Sequence, residues 1–107
     1  MVSTPPAAVL KTLAEPNRLA ILTLLRGREL AATEIAGRFS TTRSAVSQHL
    51  GALKVAGLLQ ERREGTRRLY SLRPEGFEGL RKLLDKFWDV RLQRLKREIE
   101  REAPRGR

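Results

Sequence analysis

Cysteine is absent from the 107 residues of this chain. That removes disulfides, thiolate metal sites, thiol redox sensing and cysteine nucleophiles together. Histidine occurs once, as His49, and a lone imidazole needs further well-placed ligands before it can hold a transition metal. Long apolar runs are missing too. No stretch approaches the ~18–20 residues that span a bilayer, and Met1 to Ala14 lacks the basic-then-apolar order of a secretory signal. The chain is therefore expected to be cytoplasmic, with no membrane partner. There is no phosphate-cradling glycine loop, no histidine pair and no buried-looking pair of carboxylates on one face. No catalytic residue, metal site or cofactor is expected, and an enzyme is the least favoured class. Negative charge is also in short supply. Twelve Asp and Glu stand against 22 Lys and Arg, for a formal charge of +10 and an isoelectric point of about 11.4.

The residues that are present complete the class assignment. Hydrophobic residues make up 40% of the chain, enough for one small core and too many for a disordered tail. A single domain over residues 1–107 is expected, without internal repeats. A soluble domain this basic points to a polyanionic partner, nucleic acid first. The excess is uneven: residues 1–57 carry net +4, whereas 58–73 carry net +3 in only 16 positions. The stretch 74–107 also carries +3 but mixes both signs, as a solvated helix face does.

Apolar spacing, caps and breakers set the expected elements. A first helix spans Pro6 to Ala14, with Thr4 as a cap and Val9, Leu10 and Leu13 as its apolar face. Glu15-Pro16-Asn17 interrupts it, because the residue before a proline avoids helical geometry. Pro16 opens a second helix whose Leu19, Ile21, Leu22, Leu24 and Leu25 lie on most sides, so it is read as the buried core helix. After Gly27, Arg28-Glu29-Leu30 is either an extended linker or a brief strand. Thr33 begins a third helix with Ile35, Ala36 and Phe39 inward. Ser40-Thr41-Thr42 is a polar turn, and Thr42 caps a fourth helix from Arg43 to Ala56. Val46, Leu50 and Leu53 form its buried stripe, and Gly57 ends it. Leu58–Arg63 and Arg67–Leu72 are two short strands about Glu64-Gly65-Thr66, with Tyr70 and Leu72 anchoring the second. A last helix spans Glu75 to Glu102, and Ala103 to Arg107 is a frayed tail.

A short helix, a tight turn and a second helix make a helix-turn-helix, whose second helix enters the DNA major groove. The open side of that helix carries Thr42, Arg43, Ser44, Ser47 and Gln48, the candidates for base contact. Arginine donates two hydrogen bonds to guanine and glutamine pairs bidentately with adenine. A face exposed for solubility alone would favour Glu and Lys over this set. The hairpin places Arg62, Arg63, Arg67 and Arg68 around a glycine turn, where arginines reach a minor groove or clamp phosphates. With Thr33, Thr41, His49, Lys54 and Thr66 they are the candidates for backbone or minor-groove contact. For His49, packing and hydrogen bonding within the protein are weighed equally against a phosphate contact.

The last helix carries Phe77, Leu80, Leu84, Phe87, Trp88, Leu92, Leu95 and Ile99 along one side, more than a chain of this size can cover. About 28 residues at ~1.5 Å each outrun a small domain. A second copy of the chain is the expected cover. The candidate dimer interface is Leu84, Phe87, Trp88, Leu92, Leu95 and Ile99, with Val9, Leu10 and Leu13 from the first helix. Two recognition helices would then read half-sites one helical turn apart. A non-specific or architectural nucleic-acid binder is the alternative, separated from the first reading by its lack of base discrimination.

The arrangement resembles the ArsR-type (ArsR/SmtB-like) winged helix-turn-helix repressors. The resemblance is carried by Leu13-Ala14-Glu15-Pro16-Asn17-Arg18-Leu19-Ala20-Ile21-Leu22 and Ser44-Ala45-Val46-Ser47-Gln48-His49-Leu50. Ala56-Gly57-Leu58-Leu59 and Arg63-Glu64-Gly65-Thr66-Arg67-Arg68-Leu69-Tyr70-Ser71-Leu72 follow in order, and together they span roughly residues 7–100. It implies a mainly α fold with a small β-hairpin wing, dimerising through its terminal helices. It also implies a homodimer that binds a pseudo-palindromic operator on double-stranded DNA and blocks transcription. Many such repressors release DNA when metal binds, and here this chain departs from them. Their cysteine pair would fall around Ala31 to Ala36, where this sequence has none. Their other metal site uses histidine and acidic residues of the final helix, which here holds no histidine. Asp85, Asp89 and Glu98 are read as surface charges. The chain is similar to the metal-independent branch, whose inducing signals vary, and its own inducer is not legible in the residues.

Overall fold

The structure, a computed structural model, describes residues 4–102. The expected frayed tail, Ala103 to Arg107, lies outside the described residues. Five α-helices and three short strands follow in the order α1 (Pro6–Leu13), α2 (Pro16–Leu24), β1 (Leu30–Ala31), α3 (Ala32–Ala36), α4 (Arg43–Val55), β2 (Leu59–Glu64), β3 (Arg67–Leu72) and α5 (Glu78–Glu102). A 3₁₀ turn over Pro74–Phe77 leads into α5, so the final α-helix begins three residues later than its apolar spacing implied. No helix among the described residues is long and apolar enough to cross a membrane.

Proline and side-chain caps account for the two N-terminal helices. Pro6 opens α1 behind Pro5, and no side chain caps it, so Thr4 does not have the capping role expected of it. Pro16 opens α2. There the Glu15 carboxylate accepts the Arg18 backbone N–H at 3.3 Å, satisfying one of the donors a helix start leaves free. Ile21, Leu22 and Leu25 of this segment are buried, whereas Leu19 is 48% exposed. Spacing alone could not show that α2 keeps one face to solvent.

Around this pair the core closes with Val9, Ile35, Val46, Leu50, Leu53, Leu58 and Tyr70. The expected stripe of α4 is borne out: Val46, Leu50 and Leu53 are each at most 2% exposed. The expected two-stranded hairpin gains a third strand. The sheet order is β1-β3-β2, all antiparallel, with Leu30 opposite Tyr70 and Ala31 opposite Leu69. β3 is thus the central strand. Glu64 pairs with Arg67 across a two-residue turn. Its first residue, Gly65, sits at φ +63°, the left-handed geometry that glycine adopts without steric cost.

The central position of β3 explains one departure from the expected alternation. Leu69 and Tyr70 are both buried, although adjacent strand residues point to opposite faces. Tyr70 joins the core, while Leu69 lies in a row with Ala31 and Arg62 on the other face. Among the described side chains of α5, Leu80 alone is buried. Beyond it α5 extends from the body, giving the molecule a longest dimension of 65 Å against 32 and 23 Å.

Candidate nucleic-acid interface

The reading helix begins where its chemistry requires. Thr42 Oγ1 accepts the Ala45 N–H at 3.0 Å, capping α4 and leaving its first turn open to solvent. Thr42, Arg43, Ser44, Ser47 and Gln48 are all exposed, and the intervening Val46 is buried. On α3, Thr33 is exposed, while Thr41 in the turn is half-buried. Thr42→Ala is expected to lower folding stability by about 1 kcal/mol, read by urea denaturation, because the cap has no substitute.

Between α3, α4 and β3 lies a cleft of about 330 Å³, with Thr33, Arg43, Ser44, Ser47 and Arg68 in its lining beside Val46, Leu50 and Tyr70. Arginine and hydroxyl donors from three elements therefore converge on one surface. Neither Arg43 nor Arg68 has a carboxylate within salt-bridge distance among the described residues.

Strand register sorts the four hairpin arginines, which the sequence alone had grouped together. Arg63 pairs with Arg68, on the face that also carries Glu61, Tyr70 and the α4 side of the sheet. Arg62 and Arg67 alternate onto the opposite face. Both are engaged there. Arg62 Nη2 and Nε reach the two oxygens of Glu29 at 2.7 and 3.2 Å, and its Nη1 reaches Glu64 at 3.2 Å. This fork holds the Glu29 carboxyl below its ordinary range and pushes the guanidinium above its own. Arg62 stands opposite Leu69, itself opposite Ala31, and so links β2 to the segment before β1 across the central strand. Arg67 Nη2 donates to Glu34 Oε1 at 3.0 Å. Thr66 is exposed at the hairpin tip.

Lys54 and His49 are both engaged by groups of the protein itself. Lys54 lies 3.5 Å from Glu61, whose carboxylate accepts the Tyr70 hydroxyl at 2.9 Å. That hydrogen bond lowers the Glu61 carboxyl, while burial and then the carboxylate push the Tyr70 hydroxyl up. The His49 side chain is 16% exposed. Its Nδ1 accepts Arg18 Nε at 3.3 Å, and its Nε2 lies 3.5 Å from Glu15. Arg18 in turn donates to the Thr12 carbonyl at 3.1 Å. Both ring nitrogens therefore face protein partners, and the packing alternative weighed for this histidine describes its placement.

On α5, Leu84, Phe87, Trp88, Leu92, Leu95 and Ile99 are 49–61% exposed. On α1, Leu10 is 45% exposed, Leu13 is half-buried and Val9 is 1% exposed. Val9 is thus committed to the chain's own core and drops out of the expected interface.

Glu15, Arg18, Glu29 and Glu34 were not singled out from the sequence. Glu34 had a readable signal, since it stands at the third position of a helix, where glutamate reaches back to the N-cap. Its Oε1 accepts the Ala31 N–H at 2.8 Å. Glu15 also had a local signal, at the N-cap position just before Pro16. The contacts of Glu15 and Arg18 with His49 and of Glu29 with Arg62 join residues more than 30 positions apart, and no local pattern marks them.

A helix-turn-helix domain family matches residues 13–62. The chain is 45% identical over 83 residues to HTH-type transcriptional regulator Rv2034 of Mycobacterium tuberculosis, covering 78% of each protein. It is 32% identical over 79 residues to the arsenical resistance operon repressor of Staphylococcus xylosus, covering 74% of this chain and 76% of that one. A crystal structure described as a possible transcriptional regulator for arsenical resistance matches with a TM-score of 0.69 and 42% identity, over 83% of this chain and 93% of that one. Taken with the capped reading helix, the three-stranded wing and the extended last helix, these likenesses show that the chain belongs to the ArsR-type winged helix-turn-helix transcriptional regulators.

Proposed function

We propose that this regulator is a homodimeric repressor that binds a pseudo-palindromic operator in double-stranded DNA. The observation that carries the reading is the convergence of Arg43, Ser44 and Ser47 of α4 with Arg68 of the wing on one cleft. In this reading Thr42, Arg43, Ser44, Ser47 and Gln48 face base edges, and Arg63 and Arg68 contact the backbone, joined by Thr33, Thr41 and Thr66. Phosphate contacts hold the register and carry no sequence information, whereas contacts to base edges discriminate.

The uncovered apolar face of α5 supports pairing with a second copy, with Leu10 and Leu13 beside it. A two-fold pair would set its recognition helices about 34–36 Å apart, one turn of the duplex. The protein acts in the cytoplasm as a DNA-binding regulator and not as an enzyme. Without cysteine, and with no histidine on α5, its inducer is not a metal sensed through either of the usual site types.

The test is fluorescence anisotropy with the upstream region of its own gene at ~150 mM salt. The expected result is binding at least 1,000-fold tighter than to random duplex. Equal affinity for the two would overturn the operator reading in favour of an architectural binder. A promoter-reporter assay gives the sign of regulation, with repression expected. Arg43→Ala is expected to relax preference at one operator position by on the order of 10- to 100-fold. Arg68→Ala is expected to weaken every duplex alike and to reduce the salt slope by about 1. Competition against single-base operator variants checks the division, and equal loss of discrimination from both substitutions would contradict it.

A further inference from the structure

The two arginines on the far face of the wing are held by carboxylates that the operator reading does not use. Arg62 lies in the cross-strand row Arg62, Leu69, Ala31 and reaches over it to both oxygens of Glu29. Arg67 is held by Glu34, whose Oε1 also accepts the Ala31 N–H. That carboxylate is therefore also tied to the start of α3. By contrast, Arg63 and Arg68 have no carboxylate within salt-bridge distance among the described residues, and Arg68 lines the cleft with α4. Of the four wing arginines, the two paired with carboxylates thus lie on one face. The two without one at salt-bridge distance lie on the face toward the reading helix, where Glu61 is engaged by Lys54 and Tyr70.

We propose that Glu29 and Glu34 are specificity-determining residues, which withhold Arg62 and Arg67 from DNA phosphates and so confine the wing's backbone contact to the α4 side. Exposed ion pairs contribute little to stability, so their main effect is on what a polyanion can engage. A guanidinium already neutralised by a carboxylate adds little to the phosphate contacts that drive sequence-independent binding. A duplex read by α4 lies against the Arg63 and Arg68 face. Cations freed on the opposite face would therefore serve duplexes held in other orientations, and chiefly non-specific ones.

The inference rests on the DNA-binding reading above, and its test separates the two. The full chain, wild type and E29Q/E34Q, is titrated by anisotropy against operator and random duplex from 50 to 300 mM salt. Glutamine keeps the shape, and at position 34 it keeps a carbonyl for the Ala31 N–H, with melting curves checking the fold. For the double variant, random-duplex affinity is expected to rise about tenfold and its salt slope to steepen by up to about 1.8, from ~0.9 per phosphate gained. Operator affinity is expected to stay within about threefold, so the specificity ratio falls. Adding R62Q/R67Q should abolish the gain.

An unchanged random-duplex affinity and slope would overturn the proposal, as would an equal gain on both duplexes. A gain that persists in the R62Q/R67Q background would also overturn it, since it would then reflect the loss of two negative charges alone. A wild-type chain that binds neither duplex would instead overturn the DNA-binding reading itself.

Discussion

Glutamate at both Leu92 and Leu95 is expected to yield a folded monomer that no longer holds its operator. The two side chains are 52% and 51% exposed, so the chain's own core loses nothing when they change. In the proposed dimer they lie at the centre of the Leu84, Phe87, Trp88, Leu92, Leu95, Ile99 face. Burying a leucine side chain contributes about 1.5–3 kcal/mol, and the two-fold axis would count each substitution twice. Four carboxylates would also be forced into an apolar contact, where an unpaired charge is costly. Dimer dissociation should rise more than 1,000-fold, which sedimentation at micromolar concentration would read directly. Operator affinity should fall by at least 100-fold, because the second half-site contact would no longer be held at high effective concentration by the first. A variant that remains dimeric would remove α5 from the proposed interface, whatever its DNA affinity.

The second large effect is one of folding. Gly76→Ala is expected to destabilise the chain by on the order of 3 kcal/mol in urea denaturation. A Cβ at Gly76 would stand 1.8 Å from the Gly57 carbonyl oxygen, 2.7 Å from its carbon and 3.3 Å from Leu58 Cα. All three are backbone atoms, so no rotamer change relieves the overlap. The 3₁₀ turn before α5 would have to move off the end of α4, taking the Gly76 N–H to Arg73 carbonyl bond with it. Gly51→Ala supplies the contrast within the same protein. Gly51 lies inside α4 with nothing within 4 Å of an added Cβ, so alanine there should stabilise by about 0.5–1 kcal/mol. A change under 0.5 kcal/mol at Gly76 would show that the turn yields freely.

How much was legible in advance divides along sequence separation. The capped α4, its Val46, Leu50 and Leu53 stripe and its open Thr42, Arg43, Ser44, Ser47 and Gln48 face follow from local rules. A cap needs an oxygen three residues before its partner N–H, and a buried stripe needs steps of three and four. The hairpin likewise follows from Gly65 between two β-rich runs, and the bare apolar side of α5 from spacing and length. In principle, alternation also separates Arg63 and Arg68 from Arg62 and Arg67, once the turn is known to be two residues long.

Other features depended on elements that meet only in the folded chain. β1 could not be separated from a linker, because two residues show no period and became a strand only by pairing with β3. Val9 looked like its neighbour Leu10 until the packing of α1 buried one and left the other at the surface. His49 meets Arg18 across 31 positions, and Glu29 and Glu34 meet Arg62 and Arg67 across 33. No local periodicity records such distances. The sequence by itself, with its missing cysteine and its +10 charge, determined the class, the reading helix and the uncovered face of α5, because each rests on composition or on neighbours a few residues apart. Only the tertiary structure decided which basic side chains are free to meet a polyanion, because a cation's availability depends on the carboxylate that folding places beside it.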